Sequence, residues 1–165
     1  MKKRLSAVIF STIFALIAAL PAAAKVEKSD AGVYAAVNAS GQVQSLFRFN
    51  KVGNRYWVVD MVKEGAWSKL ICAKNTQCML TDTSRATMRR FFSRYDELIA
   101  VVDRKLPKVS VSCIDVKEFA FCRLDDVEKT SYFLISQEGN ISVLQKQPDP
   151  QVAEQPAAQN NKEQE

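Results

Sequence analysis

The chain has 165 residues, a formal net charge of +5 and no histidine among its 23 basic and 18 acidic groups. That length allows one ordinary domain with appendages, and the missing imidazole removes Ser-His-Asp, Cys-His and histidine-ligated metal chemistry. The basic balance gives no case for nucleic acid, because residues 1–24 hold three basic and no acidic residues, and without them the net charge falls to +2.

Met1-Lys2-Lys3-Arg4 followed by an apolar run from Leu5 to Leu20 and by Pro21-Ala22-Ala23-Ala24 has the layout of a secretory signal peptide cut before Lys25. The apolar run is sixteen residues, short of the roughly twenty that a spanning helix needs. The expected product is exported, to the periplasm first and to the medium second, with no membrane span left after cleavage.

Residues 25–31 are polar and read as a loose leader. Gly32 to Asn38 is strand-like and ends in the turn Ala39-Ser40-Gly41-Gln42. Val43 to Asn50 alternates, with Val43, Ser45, Phe47 and Phe49 on one face. After a turn at Lys51–Asn54, two apolar runs, Tyr56–Val62 and Trp67–Cys72, flank Lys63-Glu64-Gly65-Ala66 and read as a β-hairpin. Trp57 falls on a strand that is apolar on both faces and is assigned to the core. Trp67 directly follows the hairpin turn and is a candidate interface residue.

Thr81-Asp82-Thr83-Ser84 supplies N-cap side chains, and Met88, Phe91, Phe92, Tyr95, Leu98, Ile99 and Val102 then recur at three- and four-residue spacing. The periodicity predicts one long amphipathic helix over about 84–104, which Pro107 stops. Strands are expected at Val109–Ile114, Phe119–Leu124, Ser131–Ser136 and Ile141–Leu144, and residues 147–165 read as a disordered tail. Short connections imply antiparallel pairing. The expected fold is therefore α+β: a mainly antiparallel sheet of about seven to nine short strands with the long helix packed on it. Residues 32–146 form a single disulfide-stapled domain in this reading.

Cys72, Cys78, Cys113 and Cys122 are an even set in an exported chain, so they are expected to pair. Three connectivities exist, and the local one, Cys72–Cys78 with Cys113–Cys122, joins cysteines across short turns. The C-x5-C and C-x8-C spacings do not suit zinc. No metal or cofactor is implied, and no glycine-rich phosphate loop is present. With the thiols engaged, a cysteine nucleophile is not expected either. Asp96-Glu97 and Asp125-Asp126 are the adjacent acid pairs that a carboxylate-dependent hydrolase would use, but such chemistry needs carboxylates that face each other across a cleft.

Arg85, Arg89, Arg90 and Arg94 crowd the first helical turns without an intervening acid. Like charges at i, i+4 and cations near a helix N-terminus are both unfavourable. The arginines are thus candidates for an acidic partner, with pairing to Asp or Glu of the sheet, or simple solvation of the outer face, as the plainer reading. The function expected from these features is a non-catalytic exported binding protein acting through a protein partner, as an inhibitor, immunity factor or envelope-assembly accessory does. The alternative is a small-ligand or cell-wall-binding module whose pocket lies between helix and sheet, lined by Phe91, Tyr95 and Trp67. A carboxylate-pair hydrolase is the minor alternative.

Overall fold

The computed structural model describes residues 25–72 and 75–148. The expected signal peptide, and the tail from residue 149 onward, lie outside them. Nine strands are present: β1 (Gly32–Val37), β2 (Val43–Val52), β3 (Tyr56–Lys63), β4 (Ala66–Lys69), β5 (Met79–Asp82), β6 (Ser110–Asp115), β7 (Phe119–Asp125), β8 (Thr130–Ser136) and β9 (Ile141–Lys146). Two helices, α1 (Arg85–Phe91) and α2 (Asp96–Val102), lie between β5 and β6.

The strands run β2-β1-β9-β8-β7-β6-β5-β3 and close through β2–β3, while β4 pairs with β3 alone. Every pairing is antiparallel. The molecule is therefore an eight-stranded closed β-barrel with an extra edge strand, not an α+β sheet carrying one long helix. Both parts of that correction have physical causes. Short antiparallel connections satisfy an open sheet and a barrel equally, and closure depends on β1 meeting β9, with Tyr34 opposite Lys146, a pairing that no local signal announces. As for the helix, twenty-one residues would extend about 31 Å. Barrel strands of six or seven residues span only about 20–23 Å, so the chain turns back.

The reversal occurs between Phe92 and Tyr95. Tyr95 N–H bonds to the Phe92 carbonyl (2.8 Å), and Tyr95 itself is extended. Ser84 caps α1 by accepting from Thr87 N–H at 3.1 Å. Asp96 and Glu97 occupy the first turn of α2, where the helix dipole favours them. The apolar spacing ran unbroken through the sequence because both helices turn the same kind of face to the barrel.

Strand alternation gives two cores. Tyr34, Phe49, Trp57, Val59, Leu80, Ile114, Phe121 and Leu144 fill the interior. Phe49 and Phe121 have ring centroids 4.2 Å apart, and Tyr34 lies 5.2 Å from Phe121 and 5.1 Å from Tyr132. An eight-stranded barrel is only wide enough for such side chains. On the outside, Phe91, Phe92 and Val102 of the helical hairpin pack on Cys113, Ala120, Cys122, Phe133 and Ile135.

Residues 25–31 are not a loose leader. A 3-10 turn at Lys28–Asp30, with a capping box from Glu27, seats Val26 and Asp30 in the barrel end. This end, called lower here, also holds the β2–β3 turn, the α2–β6 connection and the β7–β8 turn. The β3–β4, β6–β7 and β8–β9 turns lie at the upper end. Gln147 N–H bonds to the Val33 carbonyl at 2.8 Å, so the first residue assigned to the tail still belongs to the sheet.

Candidate functional site

The outer surface of the barrel is unevenly covered. The helices clad β6, β7 and β8, whereas the outer face of β2, β3, β4 and β5 has no second layer among the described residues. Because Trp57 and Val59 point inward, alternation turns Tyr56, Val58, Asp60 and Val62 outward. The hairpin turn uses Glu64 at φ 54° and Gly65 at φ 80°, the left-handed pair that a two-residue type I′ turn requires. It sets Trp67 opposite Val62 and Lys69 opposite Asp60. Met79 pairs with Val58.

Trp67 is 40% exposed, and Tyr56, Ile71 and Met79 on or beside the same face are also exposed. Arg48 fixes the indole. Its Nε and Nη2 donate to Asp60 Oδ2 at 3.1 and 2.9 Å, and its guanidinium lies 4.7 Å from the Trp67 ring centroid. A contact of this kind contributes about 0.5–1 kcal/mol at an exposed position. β4 ends the sheet, and Leu70 N–H bonds to the Val59 carbonyl at 2.9 Å. In the antiparallel register that bond makes Asp60–Lys69 and Val62–Trp67 the non-hydrogen-bonded pairs. The backbone N–H and C=O of Trp67 and Lys69 therefore face the open edge, which is the geometry to which an added strand bonds.

The Cys72–Cys78 and Cys113–Cys122 disulfides both form. The first staples the loop where the sheet passes from β4 to β5. The second joins directly opposed residues of β6 and β7 beneath the helices.

The arginines do not form one face. Arg85 donates from Nε and Nη2 to the Val102 carbonyl at 2.9 and 2.7 Å. Arg89 bonds to Asp103 Oδ2 at 2.6 Å. Their partners are the last turn and the cap of α2, because the two helices are antiparallel and the start of α1 adjoins the end of α2. Cations that oppose one helix dipole thus satisfy the other. Arg94 packs over Gly139 beside the Tyr95 hydroxyl, which donates to the Gly139 carbonyl at 2.7 Å. Arg90 is exposed and makes no ion pair among the described residues. Trp67 lies away from Phe91 and Tyr95, so the three do not line a common pocket.

A buried polar cluster at the lower end escaped sequence reasoning. Asp30, 2% exposed, accepts from Glu27 N–H at 2.7 Å, from the Tyr132 hydroxyl at 2.7 Å and from Arg123 Nη1 at 3.2 Å. The Tyr34 hydroxyl donates to the Asp30 carbonyl at 2.5 Å. Burial pushes the Tyr34 hydroxyl far above its ordinary pKa, with Tyr132 and Asp30 adding to the shift. Burial, then the hydrogen bond to Asp30, pushes Tyr132 up to about 12. Both stay protonated donors, and the Asp30 carboxylate is saturated with donors, so the cluster pins the N-terminal segment and presents no reactive group. Its one sequence signal is Arg123, a charge on the inward face shared with Phe119 and Phe121. Of the acid pairs, Asp125 accepts from Arg123 and Thr130 and Asp126 from Val127 N–H, whereas Asp96 and Glu97 are exposed on the first turn of α2. No group of three potential metal ligands exists among the described residues.

No protein-family model, curated protein or solved structure matches this chain.

Proposed function

We infer that this is an exported, non-catalytic binding protein that engages a protein partner through the outer face of β2–β5, with Trp67 at its centre. The carrying observation is that Tyr56, Trp67, Ile71 and Met79 are all exposed on the part of the barrel wall that the helical layer leaves uncovered. Tryptophan, tyrosine, methionine and arginine are the residues that interface cores favour, and Arg48 holds the indole ready without a rearrangement. Export to an oxidising compartment fits the two disulfides. The periplasm is the reading that the signal-like segment 1–24 supports. A cut before Lys25 leaves Val26 free to bury itself and Lys25 free to reach Asp82 at 3.5 Å.

The test is cross-linked capture from envelope extract with the oxidised protein and with Trp67→Ala combined with Met79→Ser. The wild type is expected to retain a specific protein at physiological salt, and the double variant to lose it with its melting temperature nearly unchanged. Undiminished capture by the double variant, or nothing retained by the wild type, overturns the reading. Mass measurement of the purified protein gives the processing site, and any N-terminus other than Lys25 removes the cleavage reading.

A further inference from the structure

We propose that the lower end of the barrel docks on an anionic phospholipid bilayer through the α2–β6 connection, Arg104 to Lys108. Helix α2 ends in a Schellman arrangement: Arg104 N–H bonds to the Val101 carbonyl and Lys105 N–H to the Ala100 carbonyl, each at 2.9 Å. Arg104 takes φ 58°, a left-handed position that glycine usually fills. The five residues that follow the cap therefore project from a fixed corner, and Val109 N–H bonds back to the Leu106 carbonyl at 3.4 Å before β6 begins.

The tip reads Arg-Lys-Leu-Pro-Lys, three cations and no carboxylate, around a leucine that is 41% exposed. The neighbouring β7–β8 turn adjoins it, because Ser110 is opposite Asp125 and Asp125 opposite Thr130. That turn raises Val127, 68% exposed, with Lys129 beside it. Asp126, which accepts from Val127 N–H at 2.5 Å, and Glu128 are the acids of that turn, and the four cations of the two tips outnumber them. The upper turns differ: the β6–β7 turn balances Lys117 with Glu118, and the β8–β9 turn carries Glu138 alone.

Two apolar tips among cations require both phosphate oxygens and an apolar phase beneath them, and a bilayer surface supplies both. Headgroup phosphates take the cations while Leu106 and Val127 enter the acyl boundary. A soluble polyanion would leave those side chains in water. The chain also enters the domain at this end, since Lys25 pairs with Asp82 here and the apolar stretch Leu5–Leu20 precedes it in sequence.

The experiment is flotation of the oxidised protein purified from cells with vesicles containing phosphatidylglycerol, against vesicles of phosphatidylcholine alone. Binding is expected only to the anionic vesicles, with weakening as salt rises. Lys105→Glu with Lys108→Glu should lower the partition coefficient by more than about tenfold, at roughly fivefold per lost basic residue. Lys63→Glu with Lys117→Glu, the same charge change at the upper end, should leave it within about twofold, since that end lies beyond a Debye length from the surface. Leu106→Trp should shift its emission to shorter wavelength on vesicle addition. Equal losses from the two charge reversals, no binding to anionic vesicles, or no spectral shift overturns the proposal. So does binding to inorganic polyphosphate that competes with vesicles and is insensitive to Leu106→Asp.

Discussion

The interior and the helix-clad exterior share the same strands yet are built differently. On β7, Phe119, Phe121 and Arg123 point into the barrel, while Ala120, Cys122 and Leu124 point out beneath the helices. The interior combines packed rings with one charge cluster at its lower end. The exterior is aliphatic and aromatic around a disulfide, and depends on two seven-residue helices too short to be stable alone. A barrel strand has two faces to satisfy, and this protein lays helices over the outer one along β6–β8. Where β2–β5 lack a cover, the outward residues become Arg48, Asp60, Lys69 and the exposed Trp67 and Met79. The missing second layer is what leaves that face open to solvent.

Truncations in the two cores put the contrast to the strongest test. Phe121 touches Tyr34, Phe49 and Tyr132, and Phe121→Ala should cost about 5 kcal/mol, at the upper end for buried aromatics. Phe92→Ala should cost about 3 kcal/mol and, as the helices are an applied layer, should separate the transitions. The helical far-ultraviolet signal then melts before the near-ultraviolet signal of the barrel aromatics. A single coincident transition in Phe92→Ala would show that the two cores unfold as one.

The polar cluster gives the interior a sensitivity that the exterior lacks. Asp30→Asn strands the Arg123 guanidinium beside a neutral amide and should cost about 3 kcal/mol by urea denaturation, the low end for breaking a buried pair, because Asp125 still holds Arg123. Alkali acts on the same cluster. Tyr132 keeps its proton in the fold up to about 12, against 10.0 ordinarily, so its contribution to stability is complete below pH 10.0 and vanishes as pH rises through about 12. Tyr34 shifts in the same direction. Phenolate absorbance should therefore rise with unfolding for these two, and Asp30→Asn should bring that step to lower pH.

How much of this was visible in the chain follows from what each feature depends on. The local pairing of the cysteines, the burial of Trp57 and the hairpin at Lys63–Ala66 rest on neighbours within a few residues, and all were readable. Barrel closure rests on Tyr34 meeting Lys146 across 112 residues, and the buried polar cluster rests on Asp30 meeting Arg123 and Tyr132. The first leaves no local trace, and the second leaves only Arg123 as a charge among inward-facing aromatics. The break in the helix did leave one, in Asp96-Glu97 as a fresh acidic first turn, but the unbroken apolar spacing outweighed it. The partners of Arg85 and Arg89 were not readable for a related reason: Val102 and Asp103 belong to a helix end that exists only once the chain has turned back.

The two disulfides differ in cover more than in loop length. Each closes a short loop, with separations of 6 and 9 residues, and each should contribute about 2–3 kcal/mol. Cys113 and Cys122 are buried beneath the helices, whereas Cys72 is partly exposed. Mild reductant with alkylation and mass analysis should open Cys72–Cys78 first. Phe92→Ala, by loosening the cover, should bring the two rates together, and rates that stay apart in that variant would separate reductant access from the helical layer.

The smallest expected effect has the opposite sign. Arg104 carries a side chain at φ 58°, and its exposed position gives no packing in return. Arg104→Gly removes that strain and should raise stability by about 1 kcal/mol, the difference between a side chain and hydrogen at a left-handed helix end. The gain should appear wholly in the unfolding of the helical layer, and the barrel signal resolved in Phe92→Ala should not move. The same substitution takes one cation from the tip, so it should weaken partition onto phosphatidylglycerol vesicles by roughly fivefold. Stability and docking would then change in opposite directions at one residue, which a position selected for the helix end alone would not do. A variant that gains stability and binds vesicles as before would reduce Arg104 to an ordinary strained cap.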